Sequence, residues 1–288
     1  MPEKRRLDVT LVDRGLFDTR SAARGAIIRG DVLVDGRPEM RPGRRVDPGV
    51  SLEATAPAPV GRGALKLQRA LEQLDLDLRG GSVLDVGAST GGFTETLLDA
   101  GVERVVAVDV GRGQLHPDID ADPRVVNLEA TDIRRLDLDR LESPVDAATV
   151  DVSFISLEKV LPSVAYLLRE GGPVIALIKP QFEAGRADVG GGGIVRKAEV
   201  QRRVIEHLLH AVTEMGLIPE AVLPSPVLDP DANLEFFLLA WNRSMPADRG
   251  PLQSADFAAV AARVVQWARD EREGWGRGWG KISSDGED

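Results

Sequence analysis

The sequence lacks residues on which several classes of protein depend. It contains no cysteine, which excludes disulfide scaffolds, thiolate zinc sites and thiol catalysis. His207 and His210 lie three residues apart on an expected helix, the spacing of a possible metal pair, but the sequence offers no third ligand, so no metal site is expected. The longest apolar runs, such as Pro173–Ile178 and Phe236–Trp241, have the length of strands and fall short of the ~18–20 residues of a membrane span. Since the first residues also show no signal-peptide core, we expect a cytoplasmic protein with no membrane partner.

The charge is unevenly distributed along the chain. The net charge is −10, which by itself argues against a nucleic-acid partner. Residues 1–62 nevertheless carry a basic excess of three, whereas residues 63–243 carry an acidic excess of eleven and residues 244–288 an acidic excess of two. A basic head on an acidic body indicates that the two parts have different tasks.

The first 55 residues predict a small α+β domain. Apolar residues recur with a helical period over Leu7–Leu16, and Ser21 begins a second helical stretch that ends near Arg29. An alternating strand over Asp31–Asp35 then leads into a turn, and a further strand is expected at Val50–Glu53. Residues 56–62 have the composition of a linker.

Residues 63–243 predict a second domain of the α/β class. Short apolar strands, the first at Ser82–Val86, alternate with helices such as one expected at Leu157–Leu168. This alternation is typical of a mainly parallel sheet covered on both faces. The last two of its seven strands follow each other without a helix, so we expect them to pair as an antiparallel hairpin at the edge. In residues 244–288, we expect one helix at Asp256–Glu273 and a disordered tail.

A glycine-rich turn follows the first strand of the second domain. It lacks the Gly-x-Gly-x-x-Gly spacing of a dinucleotide site, and Asp85 within it suits a cationic ligand such as S-adenosylmethionine. Asp109 ends the next strand, where it is placed to accept ribose hydroxyls, and Asp132 follows the third strand near an adenine amine. The alternative is a glycine-rich turn without a ligand. The candidate cofactor residues are Asp85, Gly87, Ala88, Ser89, Thr90, Gly91, Gly92, Phe93, Asp109, Val110, Asp132 and Ile133.

Longer motifs make the interpretation more specific. The stretch from Arg6 to Gly36 resembles the small RNA-binding domain first described in ribosomal protein S4. The stretches Asp85–Thr94, Ala107–Leu115, Asp151–Leu157 and Lys179–Gly185 resemble the TlyA family, in which that domain precedes an FtsJ-like methyltransferase. The resemblance implies a Rossmann-like fold and S-adenosylmethionine-dependent methylation of ribose 2′-hydroxyls in ribosomal RNA. Ribosomal RNA or ribosomal subunits are the implied partners.

The resemblance also implies a catalytic tetrad. FtsJ-like ribose methyltransferases use Lys, Asp, Lys and Glu, and the matching positions are Lys66, Asp151, Lys179 and Glu235. Our hypothesis takes Lys179 as the general base, Lys66 as an orienting cation and the two carboxylates as orienting groups. A surface salt bridge is the alternative for each member taken alone. The sequence departs from the family pattern at residues 61–64, 116–122, 129–134 and 190–193, which puts the target nucleotide in doubt more than the chemistry.

Arginine and lysine residues in two places suggest RNA contact. Arg20 and Arg24 are one helical turn apart, and a glycine-rich loop beside the expected active site carries further basic residues, so we expect it to close on RNA. A solvated charged face is the alternative for both groups. The candidate RNA-binding residues are Arg5, Arg6, Arg20, Arg24, Arg29, Arg186, Arg196 and Lys197.

Two other functions stay open at this point. One is a catalytically silent RNA- or ribosome-binding protein that keeps the fold, against which the complete tetrad counts. The other is a membrane-active hemolysin, a label that some members of the family carry, against which the short apolar runs and the acidic charge count.

Overall fold

The computed structural model describes residues 4–17, 20–29, 32–39, 41–54, 62–141, 143–226 and 232–274. The expected linker at residues 56–62 lies outside the described residues except for Arg62, and so does the tail from residue 275 onward.

The N-terminal part packs two helices against short strands. Leu7, Leu11 and Ile27 are fully buried together with Val32, as the helical period and the alternation predict. Asp35 and Gly36 both have positive φ, which is the geometry of a tight hairpin turn, and they join the strands Val32–Val34 and Arg37–Pro38. The strands Arg5–Arg6 and Arg45–Val46 pair with each other over two residues each, which is too short to leave a pattern in the sequence. The elements are β1 (Arg5–Arg6), α1 (Leu7–Asp13), α2 (Arg20–Arg29), β2 (Val32–Val34), β3 (Arg37–Pro38), β4 (Arg45–Val46) and β5 (Leu52–Ala54).

The rest of the chain forms the seven-stranded sheet that the sequence predicts. Its strand order is β11-β12-β10-β9-β6-β7-β8, and β6 to β10 run parallel where they pair with one another. The central strands Ala147–Val150 and Pro173–Ile178 are buried at every residue, because helices cover both faces. The strands are β6 (Ser82–Val86), β7 (Arg104–Val108), β8 (Val125–Leu128), β9 (Ala147–Val150), β10 (Pro173–Ile178), β11 (Leu217–Pro224) and β12 (Phe236–Asn242).

The helices divide between the two faces of the sheet. Leu67 and Leu97 pack with one set of strand side chains, and Val164, Leu208 and Val264 pack with the other. A 3-10 turn at Leu157–Lys159 precedes the helix Leu161–Leu167, so the helix expected from Leu157 begins later, at Leu161. The helices are α3 (Arg62–Leu74), α4 (Gly92–Asp99), α5 (Pro117–Asp120), α6 (Leu161–Leu167), α7 (Pro180–Glu183), α8 (Ala198–Glu214) and α9 (Phe257–Gly274).

The last two strands form the antiparallel hairpin that the sequence predicts at the edge of the sheet. β11 is the edge strand, and β12 lies between β11 and β10. All seven of its residues are buried, which explains its long apolar run. Because β12 runs against β10, with Ile178 opposite Phe236, the start of β12 lies beside the end of β10.

Candidate active site

The glycine turn after β6 brings the backbone of two strands into close contact. Gly87 has φ +88°, and a Cβ at this position would lie 2.5 Å from the carbonyl oxygen of Asp151. Gly92 begins α4, where a Cβ would lie 3.0 Å from the backbone nitrogen of Ala64 in α3. The small residues therefore let the turn approach both the end of β9 and the first turn of α3, which carries Lys66.

Asp109, at the end of β7, closes the turn from the other side. Its two carboxylate oxygens accept hydrogen bonds from the backbone amides of Ser89, at 2.9 Å, and Gly111, at 2.7 Å. Ser89 and Thr90 are exposed, and Val110 is 74% exposed. The turn thus presents bare backbone, hydroxyls and one carboxylate at the carboxyl edge of the sheet, where open α/β folds bind ligands.

Asp85 occupies a different place from the one that the sequence suggests. Its side chain is fully buried and accepts hydrogen bonds from the hydroxyls of Thr94, at 2.7 Å, and Thr149, at 3.0 Å. Burial raises the pKa of Asp85 to about 6, against the lowering effect of the two hydroxyls. The sequence analysis expected this carboxylate to contact a cationic ligand directly, and that expectation is corrected. The carboxylate oxygens face the protein interior, so Asp85 supports the turn from beneath.

Other predicted cofactor residues also lie in the interior. Phe93 is 3% exposed and its ring lies 6.1 Å from that of Phe237, centroid to centroid. Ile133 is buried in the opposite core. Gly91 has φ +97° and lies so close to Leu115 that a Cβ would meet that side chain at 2.9 Å. Phe93 and Gly91 therefore form the interior side of the turn.

The edge beyond β8 is organised by two carboxylates. Asp132 caps the 3-10 turn Ile133–Arg135, and hydrogen bonds from the Arg134 guanidinium, with burial opposing them, lower the pKa of Asp132 to about 2. Glu129, which the sequence analysis did not select, accepts the backbone amides of Gln114, Leu115 and Gly113, and these bonds lower the pKa of Glu129. The segment 129–134 departs from the family pattern, and this departure was the sequence feature that could have drawn attention to Glu129.

The four tetrad positions come together at the carboxyl edge as two ion pairs. Lys179 Nζ lies 2.6 Å from Asp151 Oδ1, and Lys66 Nζ lies 2.5 Å from Glu235 Oε2. All four side chains are four-fifths or more buried. Asp151 and Lys179 follow adjacent parallel strands, whereas Glu235 reaches the same edge because β12 runs in the opposite direction.

Two residues near this edge were missed in the sequence. Ser153 Oγ accepts a hydrogen bond from Lys179 Nζ at 3.0 Å. Phe154 is 90% exposed at φ +64°, and its ring centroid lies 4.9 Å from that of Phe182. Both lie inside the stretch Asp151–Leu157, which was noted as a motif but from which only Asp151 was selected.

The arginines of the N-terminal part are tied to carboxylates. Asp8 is fully buried and pairs with both Arg6 and Arg20, each at 3.0 Å, while Arg5 pairs with Asp13 at 2.7 Å. Of the two further candidates, Arg24 is half-buried and has a partner, and the side chain of Arg29 lies outside the described residues.

A second carboxylate repeats this arrangement. Glu39 is 5% exposed and binds both Arg41, at 3.0 Å, and Arg44, neither of which the sequence analysis selected. The two clusters adjoin, because the Leu7 amide donates to the carbonyl of Arg44. The Arg6 guanidinium also lies beside Gly43 in this loop, since a Cβ added at Gly43 would be 3.4 Å from Arg6 Nη1.

The glycine-rich loop after α7 is more ordered than its composition suggests. Arg186, Arg196 and Lys197 are exposed. The end of the loop is held by Asn233, which accepts the Val195 amide at 2.8 Å and donates to the Gly193 carbonyl at 2.9 Å. Closure of this loop on RNA stays a prediction.

Membrane spans and metal clusters are both missing from the part of the chain that the structure describes. No helix among these residues is long and apolar enough to cross a membrane. Within the same described ranges, histidines and carboxylates do not gather in a group of three that would hold a metal ion.

Comparisons with known proteins agree with this geometry. The model of the FtsJ-like methyltransferase family matches residues 59–242, and the S4 domain model matches residues 5–52. The Mycobacterium tuberculosis protein named 16S/23S rRNA (cytidine-2'-O)-methyltransferase TlyA is 40% identical over 85% of this chain and 91% of its own length. Hemolysin A of Brachyspira hyodysenteriae is 31% identical over 80% of this chain and 97% of its own length.

A solved structure gives the same result for the fold. A protein from Streptococcus thermophilus that bears a hemolysin name superposes with a TM-score of 0.68 at 36% identity, covering 95% of this chain and 98% of that one. The resemblance and the fold class predicted from the sequence are confirmed. The chain belongs to the FtsJ-like methyltransferase family, with an S4 domain preceding the methyltransferase fold.

Proposed function

We propose that this methyltransferase uses S-adenosylmethionine to methylate a ribose 2′-hydroxyl in ribosomal RNA. The observation that carries the proposal is the pair of lysine–carboxylate contacts beside the glycine turn, Lys179 with Asp151 and Lys66 with Glu235. The M. tuberculosis relative is named for this reaction on cytidine in 16S and 23S rRNA, which supports the same class of substrate.

The residues of the turn fit the cofactor. Gly87 leaves bare backbone where any side chain would collide, and Asp109 offers a carboxylate with lone pairs left for hydroxyl groups after accepting two amides. The exposed Val110 provides an apolar surface for a purine ring. When bound, S-adenosylmethionine supplies an electrophilic methyl group on a sulfonium centre.

Lys179 is placed to remove the proton of the attacking hydroxyl. In its neutral form the amine has two hydrogens and one lone pair. Ser153 Oγ accepts a hydrogen bond from Nζ, and the Asp151 carboxylate lies 2.6 Å from Nζ as its ion-pair partner. These two groups orient the amine, and we assign its lone pair to the ribose hydroxyl proton. Lys66 and Glu235 form the second pair at this edge and hold the ribose in place by hydrogen bonding.

Phe154 gives the site an aromatic surface for a base. A ring that is 90% exposed, supported from one side by Phe182, is suited to stacking on an unpaired nucleotide. We therefore assign the target as a nucleotide that leaves its helix, so that the base meets Phe154 while the ribose lies at Lys179.

The N-terminal part is proposed as the RNA-capturing domain. We place the boundaries at residues 1–55 for this domain, 56–62 for the linker, 63–243 for the methyltransferase and 244–288 for the C-terminal extension. The guanidinium groups of Arg6, Arg20, Arg41 and Arg44 are partly exposed and oriented by Asp8 and Glu39, which suits phosphate contact. Arg5, Arg24, Arg29, Arg186, Arg196 and Lys197 extend the proposed contacts. The whole protein would then act on ribosomal subunits in the cytoplasm.

Transfer of a labelled methyl group tests the proposal. Purified protein is given labelled S-adenosylmethionine with separated ribosomal subunits or naked ribosomal RNA, and the modified ribose is mapped. Wild type is expected to label one ribose and Lys179→Ala none, while both bind the cofactor. Full transfer by Lys179→Ala would overturn the assignment of the base. Cofactor binding without label in any RNA would favour the silent RNA-binding protein.

A further inference from the structure

Two segments that leave adjacent strands are joined by a series of contacts. The segment 151–157 follows β9, and the segment 179–183 follows β10. Close to the sheet, Lys179 contacts Asp151 and Ser153. Further out, the rings of Phe154 and Phe182 meet. The outermost contact belongs to Glu183, a residue for which neither the tetrad nor the cofactor turn has a use.

Glu183 holds the far end of the first segment. Its Oε1 accepts the backbone amide of Leu157 at 2.9 Å, and the Ser156 hydroxyl donates to the same carboxyl group. The carboxyl group is largely buried, which raises the pKa of Glu183 against these two hydrogen bonds. A group withdrawn from water holds its partners firmly, since breaking the bond would leave a polar group buried and unsatisfied.

The backbone between the two anchors is strained. Phe154 adopts φ +64°, a left-handed conformation that bulky residues rarely occupy and that persists only when the surroundings enforce it. Its ring is 90% exposed, so burial of that ring does not supply the restraint. The restraint has to act on the flanking residues, where Lys179 holds Ser153 on one side and Glu183 holds Leu157 on the other.

We propose that Glu183 is a positioning residue for methyl transfer, which fixes the segment 151–157 so that Phe154 stays at the mouth of the site and Asp151 stays on Lys179. This inference rests on the proposed function, because it deepens the same site. Glu183 touches neither the cofactor turn nor a tetrad side chain in these contacts. Its loss should therefore act on turnover and on the RNA more than on the affinity for S-adenosylmethionine.

The test compares three variants in the full-length protein. Glu183→Ala removes the anchor, and Glu183→Gln keeps an oxygen that can accept the Leu157 amide. Glu158→Gln is the matched control, since Glu158 lies beside the same turn but pairs with His207 at 2.7 Å. Methyl transfer at saturating substrates, S-adenosylmethionine affinity by calorimetry and hydrogen exchange of the Leu157 amide are measured for each.

Glu183→Ala is expected to lower kcat by at least about tenfold. It should speed exchange at Leu157 and leave cofactor affinity within about twofold. Glu183→Gln should recover part of the loss, and Glu158→Gln should match wild type. Wild-type kcat in Glu183→Ala, or an equal loss of cofactor affinity, would overturn the inference. If wild type itself transfers no methyl group, the proposed function fails, and unchanged exchange at Leu157 would then refute the anchoring separately.

Discussion

Substitution of Gly87 by alanine tests whether the glycine turn and the tetrad form one unit. The added Cβ would lie 2.5 Å from the Asp151 carbonyl oxygen, and an ordinary contact begins near 3.4 Å, so the two backbones must separate by about 0.9 Å. A left-handed alanine adds about 1–2 kcal/mol, and forcing an extra atom into a packed site adds about 1–3 kcal/mol. We expect Gly87→Ala to lower the free energy of unfolding by about 2–5 kcal/mol.

The rate of methyl transfer should fall as well as the stability. Asp151 would move with its carbonyl and lose its alignment with Lys179, and a displacement of this size can cost about 100-fold in rate. The assay pairs methyl transfer at saturating substrates with urea denaturation. Gly216→Ala is the matched control, because Gly216 has φ +84° but a Cβ added there would meet no atom within 4 Å. It should lose only about 1 kcal/mol and keep full activity. Equal behaviour of the two variants would refute the reasoning.

Three further predictions concern buried charge, strain and the arginine clusters. Burial raises the pKa of Asp85 to about 6 in the folded protein, from 3.8 in the unfolded chain. As the pH rises from about 4 to about 6, the free energy of unfolding of wild type should therefore fall by up to about 3 kcal/mol relative to that of Asp85→Asn. Denaturation at a series of pH values measures this, and a constant difference would contradict it. Phe154→Gly should be more stable than Phe154→Ala by about 1 kcal/mol, because glycine adopts a positive φ without strain. This is the reverse of the usual order, in which alanine is the more stable of the two. Both variants should methylate RNA more slowly than wild type. Asp8→Asn and Glu39→Gln should each weaken RNA binding and reduce its salt dependence, although they remove negative charge, because the arginines lose their orientation. RNA titrations of both variants are compared with Asp47→Asn, in which the lost partner is the exposed Lys4. Tighter RNA binding by Asp8→Asn or Glu39→Gln would count against the proposed arrangement.

Much of the fold was accessible from local patterns. The strand at Ser82–Val86 was placed to the residue, because a short buried run between turn residues has one stable arrangement in an α/β chain. The helix predicted from Leu157 was placed too early, since the Glu183 side chain takes the Leu157 amide and holds a 3-10 turn there. A contact between residues 26 apart leaves no periodic signal.

The active site likewise has features that the sequence predicted and features that depend on distant contacts. Local spacing and motif resemblance selected Lys66, Asp151, Lys179 and Glu235, and the fold brings them to one edge. What the motifs did not indicate was the role of each neighbour, because burial depends on residues far away in the chain. Asp85 was expected to face a ligand, yet Thr94 and Thr149 enclose it.

The sequence alone therefore determined the alternation of the main helices and strands, the glycine turn and the contrast between a basic head and an acidic body. These features depend on spacing and composition, which are local properties, whereas the four tetrad positions were inferred from the family resemblance. The tertiary structure alone set β12 between β10 and β11, buried Asp85, and joined Glu183 to Leu157. Each of these depends on two or more distant segments meeting, and the free energy of such a contact is defined only once the chain has folded.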